Sequence, residues 1–170
     1  EWYAEEFEYL ISSGIALDVH AISNPKYPLS ESVHKNLLKL YLNDVGILTG
    51  RLFEYNIAPV MKDERSINLG SVYESVVAQE LKAHGHDLFY YVNAKKGEVD
   101  FLVNNVSGMT VLPIEVKSGK DFTSHKALDK FLADKEYNIP SGIVLDNERE
   151  VYKKDNVTYM PIYYVMCIER

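Results

Sequence analysis

The sequence holds a single cysteine in 170 residues. One thiol, Cys167, cannot close an internal disulfide, which excludes a disulfide-stapled scaffold and suits a reducing, cytoplasmic setting. It sits in the apolar run of residues 163–168 and is expected in the core. No apolar run approaches the ~20 residues that cross a bilayer, and no signal-peptide pattern opens the chain. No membrane partner is therefore expected. Repeats and low-complexity segments are absent. So is the Gly-x-x-x-x-Gly-Lys-[Ser/Thr] phosphate loop, which leaves any ATPase outside these residues. His20, His34, His84, His86 and His125 form no recognisable ligand pair, and His84 and His86 are expected exposed at a helix end. An excess of positive charge is missing too. Net charge is −7 at pH 7, which taken whole argues against nucleic-acid binding.

What is present builds one core, or one domain plus a small annex. Residues 2–13 place Tyr3, Phe7, Leu10 and Ile11 at helical spacing between glutamates. Residues 15–22 alternate as a strand with Leu17, Val19 and Ala21 on one side, and a Pro- and Ser-rich break follows. Residues 37–42 read as a short strand, 52–60 are ambiguous, and 61–68 read as a loop. The clearest helix is 71–84, with an apolar stripe of Val72, Tyr73, Val76, Val77 and Leu81. Asn68 or Ser71 caps its start and Gly85 ends it. A strand is expected over 88–92, a second amphipathic helix over 122–137, and strands over 142–145, 151–152, 157–160 and 162–168. The thirteen tyrosines fall mostly in strand-like runs and are assigned to packing. This order gives an α/β domain with a mixed central sheet flanked by helices.

The chemistry concentrates in residues 97–119. Two apolar runs, 99–103 and 111–116, flank a break at Asn104, Asn105, Ser107 and Gly108, which is a β-hairpin pattern. A turn near Ser107 and Gly108 sets Asp100 opposite Glu115, about 4.5–5.5 Å apart at Cβ. Glu115 and Lys117 share a face. Opposed carboxylates repel, and a divalent cation with a taste for hard oxygen ligands, Mg2+ or Mn2+, offsets that. The competing reading is a solvated strand face with Lys117 between two acids. Glu74 lies at the edge of the helix stripe, as either a third acid of the site or a first-turn glutamate favoured by the helix dipole. Glu80 falls nearer the middle of the stripe without an evident reason. Lys95, Lys96, Lys117, Lys120, Lys126 and Lys130 fall near the hairpin in sequence, but spacing does not show that they share a face.

With Glu74, Asp100, Glu115 and Lys117 in place, the sequence resembles the PD-(D/E)XK, or restriction-endonuclease-like, superfamily. More narrowly, it is similar to a domain of unknown function found C-terminal to the ATPase module of a prokaryotic AAA+ family. The residues that carry this are Lys39-Leu-Tyr-Leu-Asn-Asp-Val-Gly46, Gly-Ser-Val-Tyr-Glu74, Val-Ala-Gln-Glu-Leu81, Glu-Val-Asp100-Phe and Ile-Glu115-Val-Lys117. The resemblance is good over residues 37–119 and loose elsewhere. It implies a nuclease-like domain at 36–170, with 1–35 an annex that is the possible end of a winged-helix unit. The chain opens on Glu1 and reads as part of a longer protein whose preceding portion holds the ATPase. The resemblance further implies Mg2+-dependent hydrolysis of DNA. Asp100 and Glu115 would then be metal ligands, the Val116 carbonyl an extra ligand and Glu74 the third acid. Lys117 would orient or deprotonate the attacking water. The alternative is a non-catalytic module that binds DNA, a partner protein or its own ATPase.

Overall fold

A computed structural model describes residues 3–54, 56–62, 64, 67–119 and 122–170. Trp2, Lys120 and part of the loop expected over 61–68 lie outside them. In chain order, α1 (Ala4–Ser12) buries none of its residues. Leu17, Val19 and Ala21 are buried while Asp18 and His20 between them are partly exposed, and that alternation makes β1 (Ala16–Ile22). Antiparallel to it runs β2 (Val33–Leu42), four residues longer at its start than the strand expected over 37–42. The 35/36 boundary therefore falls inside β2, and residues 16–22 belong to the same sheet as the hairpin.

Two helices, α2 (Val45–Phe53) and α3 (Ile57–Met61), take in most of the segment 52–60 that periodicity left ambiguous. Asp44 starts α2, its Oδ1 accepting the N–H groups of Gly46 at 2.7 Å and Ile47 at 3.1 Å. A Cβ at position 46 would stand 2.9 Å from that oxygen, so a larger residue there would have to displace the Asp44 side chain. Helix α4 (Gly70–Ala83) buries Val72, Ser75, Val77, Ala78 and Leu81. Asn68 Oδ1 takes the Gly70 N–H at 3.1 Å. Ser75 is tolerated in the core because its hydroxyl donates to the Ser71 carbonyl at 2.7 Å.

After α4 come β3 (Phe89–Asn93), β4 (Gly97–Asn105), β5 (Thr110–Val116), α5 (Lys126–Leu132), β6 (Gly142–Asp146), β7 (Tyr152–Lys154) and β8 (Val157–Pro161). The domain is a mixed α/β fold with one eight-stranded sheet in the order β2-β1-β3-β4-β5-β6-β8-β7. The β1–β3, β5–β6 and β6–β8 pairs are parallel and the others antiparallel. Alternation gives the sheet two apolar faces. Val77, Ala78 and Leu81 of α4 close one over Val19, Tyr90, Phe101 and Ile114. Leu128 and Phe131 of α5 close the other over Tyr91, Leu102, Val144 and Tyr159.

Four expectations need correction. Residues 162–168 are not a strand. Ile162–Cys167 form a 3-10 helix that buries Val165, and Ile168 after it is buried while Tyr163, Tyr164 and Met166 are exposed. The buried period there is three, which an all-apolar run does not reveal. Cys167 is accordingly exposed and not a core residue. The helix expected over 122–137 is only α5, because Asp134 turns inward to bond the Glu136 N–H and pair with Lys96. His84 is exposed, but His86 is buried, with Nε2 3.0 Å from the Ile168 carbonyl oxygen.

Gly97 joins the β3–β4 turn to α5. Its φ is +99°, and a Cβ would lie 3.0 Å from the Ala127 side chain. Gly97→Ala combines backbone strain with overpacking and is expected to cost roughly 1–3 kcal/mol. Urea unfolding monitored by circular dichroism measures this, and an unchanged midpoint would refute the packing described.

Candidate functional site

The site begins as a fault in the sheet. Tyr91 of β3 faces Val99 of β4, while Phe89 faces Leu102. Two steps along β3 match three along β4, so β4 carries one extra residue at Asp100 and Phe101. Such bulges re-aim side chains and are frequent beside active sites. On the other side of β4 the ladder with β5 runs from Asn105↔Thr110 to Phe101↔Ile114. One step further along that register sets Asp100 against Glu115. Past Ile114 the Val116 N–H is taken by Asp100 Oδ2 at 2.7 Å. Strand N–H groups lie in the plane of the sheet, so this carboxylate sits in the seam where β4 and β5 part.

Glu115 is 6% exposed. Its Oε1 accepts from Lys117 Nζ at 2.8 Å, while the buried Oε2 has no hydrogen-bond partner among the described residues. The Lys117 backbone N–H continues the β5–β6 pairing to the Leu145 carbonyl at 2.8 Å, leaving its side chain partly exposed at the rim. Glu74 approaches from α4. It is partly buried, and its Oε2 accepts from the Tyr41 hydroxyl at 2.7 Å. Burial and the Glu74 carboxylate push the Tyr41 phenol well up.

Electrostatics tie these groups together. Burial first, and then the neighbouring Glu115, raise the Asp100 carboxyl to about 8, against the opposing pull of the Val116 N–H and Lys39. Burial also raises Glu115, while Lys117 and His125 pull it down and Glu74 adds to the rise. The structure thus brings Asp100, Glu115 and Lys117 together, with Val116 between the acids and Glu74 within electrostatic reach. Glu80 instead faces His84, 3.9 Å away. Among the described residues no three His, Cys, Asp or Glu side chains gather closely enough to form a metal-ligand group.

Sequence spacing gives His125 no ligand partner, but the structure places it beside the site. It is buried just ahead of α5, with Nε2 2.5 Å from the Tyr159 hydroxyl and Nδ1 3.0 Å from Asp129 Oδ1. Glu115, Val144 and Tyr159 stand in one row across β5, β6 and β8, which puts Glu115 on the face that α5 covers. The only signal was the four-residue spacing of His125 and Asp129, one helical turn. The segment from Lys39 to Gly46 also acquires a physical account. Lys39 pairs with Glu98 on β4, Tyr41 holds Glu74, Asp44 caps α2 and Gly46 makes room for that cap.

A family model described as a domain of unknown function, DUF4143, matches residues 69–165, more than half of the chain. The chain belongs to the DUF4143 family. The match takes in Glu74, Asp100, Glu115 and Lys117 and leaves β1 and β2 outside it. No curated protein and no solved structure matches the chain.

A pH dependence follows for this DUF4143 domain. Unfolded, Asp100 titrates near pH 4, whereas folded it holds its proton to about pH 8. The folded state binds more protons between those values. The contribution of Asp100 to stability is therefore greatest below about pH 4, falls as pH rises, and levels off above about pH 8. Asp100→Asn mimics the protonated acid. In metal-free buffer it is expected to flatten the fall in unfolding free energy between about pH 5 and pH 8. Denaturant titrations at several pH values check this, and parallel curves for both proteins would count against the buried pair.

Proposed function

We propose that this domain is a metal-dependent nuclease with a restriction-endonuclease-like, PD-(D/E)XK core. It hydrolyses DNA phosphodiester bonds as the C-terminal part of a cytoplasmic prokaryotic AAA+ ATPase. The observation that carries the reading is the seam at Asp100: two carboxylates held out of water beside an ammonium, where two strands part. Asp100 and Glu115 are the residues that would hold Mg2+ or Mn2+. Glu74, directly or through water, and the Val116 carbonyl would add to them. The residues fit such an ion. Carboxylate oxygens are hard ligands, Glu115 Oε2 lacks a hydrogen-bond partner among the described residues, and burial raises both acids. When bound, the ion supplies Lewis-acid polarisation of the phosphate and a more acidic water.

The chain's own groups supply the rest. The Lys117 ammonium, fixed by Glu115 Oε1, is a donor, so orienting a water or a phosphate oxygen is the role its contact supports. The Val116 N–H holds Asp100 in the seam. The Tyr41 hydroxyl holds Glu74 in place on α4.

A second reading is a non-catalytic DNA- or protein-binding module of the same ATPase. It is favoured by the net charge of −7 and by the lack of a three-side-chain ligand group among the described residues.

With magnesium or manganese, the purified protein is expected to nick plasmid DNA. Glu115→Ala and Lys117→Ala should each slow cutting by on the order of a hundredfold or more. Manganese should raise the melting temperature of the parent protein and leave that of Glu115→Ala unchanged. Equal residual cutting by parent and variants would assign the activity to contamination. No calorimetric binding of either ion at millimolar levels would favour the non-catalytic module.

A further inference from the structure

Of the lysines that spacing could not place together, Lys95, Lys126 and Lys130 meet on one side of α5. The Lys130 ammonium donates to the Lys95 carbonyl at 3.3 Å. Gly97, at the end of the same turn, lies against Ala127 so closely that a Cβ would be 3.0 Å from its side chain. Lys126 and Lys130 are four apart on α5 and both exposed, as is Lys95, so the three line one edge of the helix. Lys96 beside them is neutralised by Asp134 and bonded to the Tyr137 hydroxyl at 3.0 Å, which anchors the turn. Asp129, the exposed acid on α5, has Oδ1 3.0 Å from His125 Nδ1. The edge leads to the seam at both ends. Lys126 follows His125, whose imidazole meets the hydroxyl of Tyr159, in the same row of the sheet as Glu115. Gly97 is three residues before Asp100 on β4.

We propose that Lys95, Lys126 and Lys130 form a phosphate-tracking strip that lays the backbone of a DNA duplex along α5 and the β3–β4 turn, toward Asp100 and Glu115. It rests on the reading of this site as one for nucleic acid. The chain's negative charge elsewhere repels a polyanion, so a duplex finds its attractive field where these cations cluster. Nothing in the strip reads bases, and the binding is sequence-independent and salt-sensitive. Each lysine that neutralises a phosphate adds about 0.9 to the slope of log K against log salt.

The test is fluorescence anisotropy of the protein with a labelled duplex in EDTA, across a salt series. The triple variant K95Q/K126Q/K130Q is compared with K26Q/K153Q/K154Q. The second triple makes the same charge change at exposed lysines on the β1–β2 connection and β7. The strip variant is expected to bind at least about tenfold more weakly, with a slope smaller by about 2–3. The control should stay within about twofold of the parent. Equal losses in both triples would reduce the effect to net charge and overturn the strip. Parent-like binding by the strip variant, or no duplex binding by the parent at low salt, would overturn it as well. A duplex held through the strip but left uncut with magnesium would remove the hydrolytic reading and leave the strip standing.

Discussion

The bond from the Val116 N–H to the Asp100 carboxylate decides what kind of sheet this is. A hairpin of two apolar strands has every reason to zip to its ends, because each ladder bond spares a buried N–H from desolvation without a partner. Here both strands continue while their pairing ends at Phe101 and Ile114, and a side chain replaces the backbone acceptor. The extra residue in β4 makes that replacement feasible, since it turns the strand just where the carboxylate must enter the seam. Without Asp100 the Val116 N–H would have to find a new acceptor. Without the bulge Asp100 would not reach it. The geometry of the acid pair depends on these two features more than on either acid alone.

Around the seam, the helices contribute from opposite sides of the sheet. From α4 comes Glu74, steadied by Tyr41 of β2. From the start of α5 comes His125, steadied by Tyr159 of β8. The two tyrosines belong to strands far apart in the sheet order, so the site draws on the whole sheet. A packed core transmits such placement because its elements cannot shift independently. The matched family span ends before Cys167 and begins after β2, yet β2 supplies both Tyr41 and Lys39. Residues 33–42 therefore work with the family domain physically, whatever boundary a sequence model gives it.

The hairpin, the first acid–lysine pair and the helix bearing Glu74 were legible because each has a strong local period: two in the strands, 3.6 in α4. What was not legible depends on contacts distant in sequence. His125 looked like a stray histidine because its partner Tyr159 lies thirty-four residues away. His86 is buried because the chain's last turn brings the Ile168 carbonyl to it, and helix-end rules carry no trace of that. The run from Ile162 to Cys167 misled for the opposite reason, since an unbroken apolar stretch fits a period of two and a period of three equally well. The lysine strip needed one fact beyond the sequence, that the β3–β4 turn packs against α5.

Glu115 is the residue that stability alone does not explain. Its neighbours Ile114 and Val116 are apolar and buried, and across the sheet it stands in a row with Val144 and Tyr159. An isoleucine or valine there would fill the same space without desolvating a charge, and such replacements of buried ionic groups are commonly neutral or stabilising. Lys117 answers one of its oxygens and leaves the other bare. A second carboxylate sits beside it, raising the cost further. The burial of Glu115, with one bare oxygen beside a second carboxylate, is therefore a cost to folding that the Lys117 contact offsets only in part.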